Sequence, residues 1–308
     1  MIQESLEAFQ HFKQHDFYPT IEEAVGCPGS VLMTQYPYFF SGNAKNGCPL
    51  NYQMIGRVKM EGIACVTELD YIPNYVMHSI MYEFTRQVKV AQEQDTTRLA
   101  RCECVAVIDL KGLDTSQLNK TTLNTLKSIG AATSCFPEML NRMVVLNAGY
   151  TFSFFWTMIK AFLEAKTVAK IEIYSNENKG KQRLLELVEK SELLADYGGA
   201  GPSFDEIAGR KGNQSGATRQ TAQLMTMNGA SAIVVELTEN ERATVSVYTR
   251  SKGDVSLQNG GSPVMTTTLK PPDSRGTTEE PKPFCTEIVA NEPGPGKLSV
   301  SATPGGGS

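Results

Sequence analysis

Two apolar runs, Cys104-Val105-Ala106-Val107-Ile108 and Met143-Val144-Val145-Leu146, constrain the fold of this 308-residue chain more than any other feature. Neither alternates apolar with polar residues, so each reads as a strand covered on both faces. Helical patterns lie between and after them. Leu118 to Leu140 fits one or two helices broken near Gly130, and Thr151 to Leu163 fits another. The next strand, Ile171–Tyr174, alternates: Ile171 and Ile173 face one way, Lys170, Glu172 and Tyr174 the other. Arg183 to Leu194 is a Leu-rich helix. Strand, helix, strand, helix in this order gives an α/β layer with a mostly parallel sheet.

Upstream, residues 2–14 fit a short helix with Leu6, Phe9 and Phe12 at helical spacing, interrupted by Pro19. Ser41 to Gly47 reads as a hairpin turn, with Tyr52 to Val58 as the returning strand. Pro73 to Ala91 is helical, with Val76, Ile80, Phe84, Val88 and Ala91 on one stripe. After Gly199 the composition changes. Gly198 to Gly216 is rich in Gly and Ser, as expected of a linker. Beyond it Ala232–Leu237, Ala243–Thr249, Val264–Leu269, Cys285–Val289 and Lys297–Ala302 read as short strands of a small all-β sandwich, with Lys252-Gly253-Asp254 as a turn and Pro271 to Pro283 as a loop. The expected organisation is a short helical remnant over 1–30, an α/β domain over 31–199, a linker over 200–228 and a β-sandwich over 229–308.

Charge and composition narrow the function. The net charge of −4 supplies no global basic field, so nucleic acid is not an expected partner. Seven cysteines without zinc-finger spacing read as buried thiols in a reducing compartment, with Cys102 and Cys104 on one face of a strand. No run approaches the roughly 20 apolar residues that span a bilayer. The residues after Met1 lack a secretory signal, so a cytoplasmic protein is expected. His11 and His15 stand four apart without a third ligand in view, and His78 is remote in sequence, so no metal is expected. There is no Gly-x-Ser-x-Gly elbow and no phosphate-cradling loop, so no enzyme chemistry is expected.

One helix carries an unusual face. Phe152, Phe155, Trp156, Ile159, Phe162 and Leu163 repeat at i, i+3, i+4 and i+7. Such a face either packs on the sheet or forms a lid over a ligand cavity that swings out to a membrane, where Lys160 and Lys166 would meet anionic head groups. Glu138 just before one strand and Lys170 at the start of the next reach the same edge of a parallel sheet. The edge of an open α/β sheet is where ligands bind. A carboxylate there accepts from sugar hydroxyls and an ammonium attracts phosphate; the alternative is a pair of solvated surface residues.

The central stretch resembles the CRAL-TRIO lipid-binding domain, the family of the phosphatidylinositol/phosphatidylcholine transfer proteins. The resemblance rests on Phe136-Pro137-Glu138, Asn147-Ala148-Gly149, Phe152, Trp156, Lys160-Ala161-Phe162-Leu163, Lys166-Thr167-Val168-Ala169-Lys170-Ile171 and Tyr197-Gly198-Gly199, together with Tyr36-Pro37, Asn46-Gly47-Cys48-Pro49-Leu50 and Asp109-Leu110-Lys111-Gly112. It covers about residues 31–199. It implies a sheet floor backed by helices and a deep apolar pocket closed by a gate, here within Phe155–Thr167, with Phe152, Phe155, Trp156, Ile159, Phe162, Leu163 and Thr167 as gate and pocket residues. It also implies that Glu138 and Lys170 contact an inositol head group. The positions that contact phosphate in such relatives are Asp114 and Ser116 here, and an Asp beside phosphate is repulsive unless protonated or turned away. Gly149, Ala161 and Ala165 stand where the family often has Pro, which loosens the hinges of the gate. The β region resembles a GOLD domain, through Ala243–Leu257 and the late Pro293-Gly-Pro-Gly-Lys-Leu-Ser-Val.

The resemblance therefore implies a carrier of phosphatidylinositol, phosphatidylcholine or another hydrophobic small molecule. It would exchange its ligand at a transient membrane surface, with no cofactor beyond the bound lipid. The alternative is an interaction module for trafficking or signalling, whose β-sandwich docks a protein partner.

Overall fold

The computed structural model describes residues 2–58, 60–97, 99–114, 117, 120–136, 138–149, 152, 156–157, 160 and 165–211, and beyond them the backbone of strands between 231 and 304. Two compact units are present, Met1–Gln223 and Leu224–Ser308.

The first unit opens with α1 (Ile2–Gln14), α2 (Ile21–Val25) and α3 (Gly29–Gln35). Thr20 caps α2 by accepting from the Glu23 N–H at 3.2 Å, and Gly26 ends it in the left-handed conformation, φ 71°. The hairpin β1 (Tyr38–Asn43) and β2 (Pro49–Gln53) follows. The returning strand is shorter and earlier than the expected 52–58, because the chain turns into a 3-10 turn over Ile55–Arg57. Then come α4 (Met60–Val66) and α5 (Ile72–His78), which continues through a π-helical stretch, Ser79–Phe84, into α6 (Thr85–Gln94).

The strands β3 (Cys104–Asp109), β4 (Leu140–Leu146) and β5 (Ile171–Ile173) complete a five-stranded sheet in sequential order. β1 and β2 are antiparallel; β2, β3, β4 and β5 run parallel. The mostly parallel α/β sheet expected from the apolar runs is therefore present. Cys104 is buried in β3, whereas Cys102 precedes the strand and is exposed, so the two do not share a strand face.

α7 (Lys120–Thr133) joins β3 to β4, and α8 (Ala165–Val168) precedes β5. Gly130 does not break α7. An isolated helical glycine costs about 1 kcal/mol, less than a helix break would forfeit. After β5, α9 (Glu177–Leu187) starts six residues before the expected 183, because Asn176 accepts from the Lys179 N–H at 3.0 Å and caps it there. α10 (Phe204–Lys211) lies inside the stretch read as a linker; Phe204 and Ile207 are buried, and the Phe204 ring sits 5.9 Å from that of Phe39.

Ladder partners share a sheet face, so the register sorts the side chains. One face holds Asn51, Ala106, Met143 and Ile171 in one row and Gln53, Ile108 and Val145 in the next. The other holds Tyr52, Val107, Val144 and Glu172. Tyr197 stacks on Tyr52 at 5.8 Å with ring planes 2° apart, and α9 lies against β4 so closely that a Cβ on Gly180 would meet Leu146 Cδ2 at 2.3 Å. This face is filled by the elements after β5. The first face is covered at its β1 end, where the Phe40 ring meets that of Phe84 at 5.6 Å. Over β3 and β4 the connecting helix α7 packs chiefly on α5 rather than on the strands, and Ala132 is its one buried residue among those described. An apolar floor therefore remains beneath the chain that follows β4.

The second unit contains β6 (Ser231–Leu237), β7 (Arg242–Val247), β8 (Gly253–Asn259), β9 (Ser262–Leu269), β10 (Phe284–Val289) and β11 (Gly296–Pro304). They form a four-stranded sheet, β6-β11-β8-β9, and a pair, β10-β7, antiparallel throughout. β8 occupies a stretch whose start had read as a turn.

Candidate functional site

The floor is built from Ala106 and Ile108 of β3, Val145 of β4, and Leu110 and Ala148 just past the strand ends, all buried in one apolar cluster with Phe152. Ile55, Leu113, Leu140, Met143, Trp156 and Ile171 pack around it. Phe152 is 8% exposed, and Trp156 stacks beside it with centroids 6.1 Å apart. Two of the aromatic residues expected at the gate thus lie on the floor. Phe155, Ile159, Phe162 and Leu163 fall outside the described residues; Lys160 is exposed and Thr167, in α8, is half-buried. At the carboxyl ends of β3 and β4 a cavity of about 290 Å³ is lined by Leu110, Lys111, Gly112, Leu113, Asn147, Gly149 and Phe152. That is the lower end of the range for small-molecule sites, about 300–1,000 Å³.

At the opposite edge, before β4 and β5, three charged side chains meet. Glu138 takes the Lys166 ammonium on one carboxylate oxygen and the Lys170 ammonium, at 3.6 Å, on the other. Lys170 also donates to the Leu140 carbonyl at 2.6 Å. Glu138 is a non-glycine residue at φ 60°, a left-handed conformation that tertiary contacts must hold. The Lys166 hydrogen bond and charge, with Lys170 behind them, hold the Glu138 carboxyl below the ordinary carboxylate value. Lys170 is 28% exposed, against 58% for Lys166 and 60% for Glu138.

Glu138 and Lys170 do reach one edge, but it is the amino edge of the parallel strands. The general rule for open α/β sheets places ligands at the carboxyl edge. Asp114 lies past the end of β3, on that carboxyl side; it is exposed, and its N–H donates to Gln117 Oε1 at 2.6 Å. Ser116 falls outside the described residues. Of the described positions expected around one head group, Glu138 and Lys170 thus precede β4 and β5, whereas Asp114 follows β3.

A second cluster escaped sequence reasoning because its members are far apart in the chain. Asp109 accepts from the Lys111 N–H at 2.9 Å, from Asn147 Nδ2 at 2.7 Å and from the Tyr197 hydroxyl at 3.3 Å. Burial and the Asp109 carboxylate push the Tyr197 hydroxyl pKa well up. A polar cavity of about 170 Å³ adjoins this cluster, with Arg57, Glu177 and Lys181 in its wall. The Asp-Leu-x-Gly turn, the end of β4 and the Tyr-Gly-Gly stretch are therefore joined at one hydrogen-bonded point, which fixes the carboxyl ends of β3 and β4 beside the floor. The signal for Lys166 was its place four residues before Lys170.

Comparison with known proteins places these features. The CRAL/TRIO domain model matches residues 33–199. Phosphatidylinositol/phosphatidylcholine transfer protein SFH12 of Arabidopsis thaliana is 30% identical over 170 residues, 55% of this chain and 31% of that protein. Phosphatidylinositol/phosphatidylcholine transfer protein SFH4 of the same plant is 29% identical over 176 residues, 57% of this chain and 28% of that protein. The SEC14 cytosolic factor of Yarrowia lipolytica is 26% identical over 173 residues, 54% of this chain and 33% of that protein. The chain thus spans about a third of the length of these curated relatives. A solved structure, Sfh5, aligns at 15% identity with a TM-score of 0.45, over 59% of this chain and 63% of that one.

Proposed function

Because the chain belongs to the CRAL/TRIO domain family through residues 33–199, we propose that it holds a phospholipid, phosphatidylinositol or phosphatidylcholine, in a gated apolar pocket and exchanges it at membrane surfaces. The observation that carries this reading is the joining of two unlike features on β4 and β5. Leu140, Met143 and Ile171 pack on the apolar floor, and Glu138, Lys166 and Lys170 precede the same strands. An amphiphile fits that arrangement, with acyl chains on the floor and a polar head at the amino edge. The names of the relatives point to the same ligand class.

Bare release into water is prohibitive for such a ligand. Two acyl chains of about 15 carbons at ~0.8 kcal/mol per CH₂ require on the order of 25 kcal/mol. Transfer then needs a covered path to a membrane, and the chain within Phe155–Thr167 serves as the gate, with its aromatic residues against the floor when closed. No covalent step is part of the proposal. Among the described residues no helix is long and apolar enough to cross a membrane; in this reading the carrier is cytoplasmic and meets membranes peripherally. Residues 31–199 form the lipid-binding domain in this reading, and 229–308 a GOLD-like sandwich that docks a protein partner.

Native mass spectrometry of the purified protein tests the carrier reading: one bound phospholipid per chain is expected, and a protein that neither co-purifies with lipid nor takes it up from vesicles overturns it. Lys170→Ala is expected to reduce phosphatidylinositol transfer more than phosphatidylcholine transfer; equal reduction would reject the head-group role.

A further inference from the structure

We infer that Lys166 is a third head-group residue, sharing Glu138 with Lys170, and that it gives the site its preference for an anionic polyol head over a zwitterionic one; the inference rests on the carrier reading above. Lys166 lies in α8 and Lys170 in the junction between α8 and β5, so two ammonium groups converge on one carboxylate, each at its own oxygen. Their surroundings differ. Lys170 is anchored by the Leu140 carbonyl at 2.6 Å and is the less exposed of the two. The Lys166–Glu138 pair is more than half exposed on both sides. Exposed pairs of this kind are worth only about 0–1 kcal/mol, so a ligand can exchange with one at little cost.

The chemistry of the exchange follows. A head-group hydroxyl donates to the Glu138 carboxylate, displacing the Lys166 ammonium, which turns to the phosphate of the same ligand. Lys170 keeps its place beside Glu138. A choline head would instead bring a quaternary ammonium, which cannot donate a hydrogen bond, toward two lysines, where like charges repel. Lys166 had been read from sequence as a contact for membrane head groups; its bond to Glu138 turns it toward the bound lipid.

The test measures transfer of labelled phosphatidylinositol and, separately, labelled phosphatidylcholine from phosphatidylcholine donor vesicles to unlabelled phosphatidylcholine acceptors. Lys166→Gln is expected to lower the phosphatidylinositol-to-phosphatidylcholine rate ratio by roughly two- to fivefold, the size of one exposed charge contact. Lys166→Arg is expected to keep the ratio within about twofold of the wild type, since it preserves the cation. A ratio unchanged in Lys166→Gln overturns the inference, whether both rates fall together, as a purely structural tie would give, or neither moves. A wild-type protein that transfers neither lipid overturns the carrier reading itself and takes the inference with it.

Discussion

Replacing Glu172 by Gln tests how the amino edge is held in place. β5 has three residues, lies at the sheet edge and pairs with β4 alone in the sheet. Ladder bonds over so short a length do not fix a strand by themselves. Glu172 adds a clamp: it accepts from Arg183 Nε at 2.8 Å and Nη2 at 3.2 Å, from the Tyr174 hydroxyl at 2.9 Å, and from Arg142 of β4. The Arg183 hydrogen bonds foremost, then those of Tyr174 and Arg142, lower its carboxyl from the ordinary 4.5 to about 2. At about 1.4 kcal/mol per tenfold change this corresponds to ~3 kcal/mol. The Glu172 side chain keeps 23% of its surface in water and that of Arg142 38%, so screening reduces the figure to about 1–2 kcal/mol. A group whose folded pKa is depressed contributes above its unfolded value and loses the contribution as pH falls toward the folded one. The stability gap between wild type and Glu172→Gln is therefore expected to be full above about pH 5, to narrow by about half at pH 3 and to vanish only as pH falls through the folded value near 2. Urea denaturation of both proteins from pH 7 to pH 3 measures it. A gap that stays constant across this range would refute the clamp. In the mutant Lys170, one residue before β5, loses the strand that positions it, so phosphatidylinositol transfer should fall along with stability.

Three further outcomes are expected. Gly199→Ala places a Cβ 1.8 Å from the Leu193 carbonyl oxygen and 2.8 Å from Leu193 Cβ; a cost of about 3 kcal/mol should lower Tm by about 6–12 °C, and an unchanged melt in differential scanning fluorimetry would count against that close approach. Burial pushes the thiols of Cys27 and Cys104 up to about 12 and that of Cys48 to about 11; at pH 8 about one thiol in a thousand or fewer is then reactive thiolate, so iodoacetamide mapping by mass spectrometry should find exposed Cys102 modified well before these three. The chain has one tryptophan, Trp156, stacked on Phe152 over the floor; its emission should shift when vesicles open the gate, and a constant spectrum under conditions that support transfer would remove Trp156 from the moving element.

The legible part of the site was local. Glu138, Lys166 and Lys170 stand within a few residues of strand starts, so strand order was enough to bring Glu138 and Lys170 to one edge. Strand direction decided which edge, and the parallel ladder makes it the amino one. The Asp109–Asn147–Tyr197 cluster was illegible because its members are 38 and 88 residues apart in sequence, and no periodicity connects residues at such separations. The start of α9 was misplaced because the Leu-rich pattern marks where a helix is buried, whereas Asn176 marks where it begins.

By itself the amino-acid sequence determined the α/β class. Continuous apolar runs at Cys104–Ile108 and Met143–Leu146 can be accommodated only where both strand faces are covered, and that condition is local to each run. It likewise determined the aromatic spacing after β4, since helical periodicity is a property of the neighbouring residues. Tertiary structure decided which of the two covered faces is closed by later elements and which is left as an apolar floor. The elements after β5 close one face against Tyr52, Val144 and Leu146, while α7 packs on α5 and leaves Ala106, Ile108 and Val145 to Phe152 and Trp156. That choice depends on where a connecting helix finds its best-packed partner, a competition between surfaces distant in the chain, and it places an apolar floor within a strand's length of three converging charges.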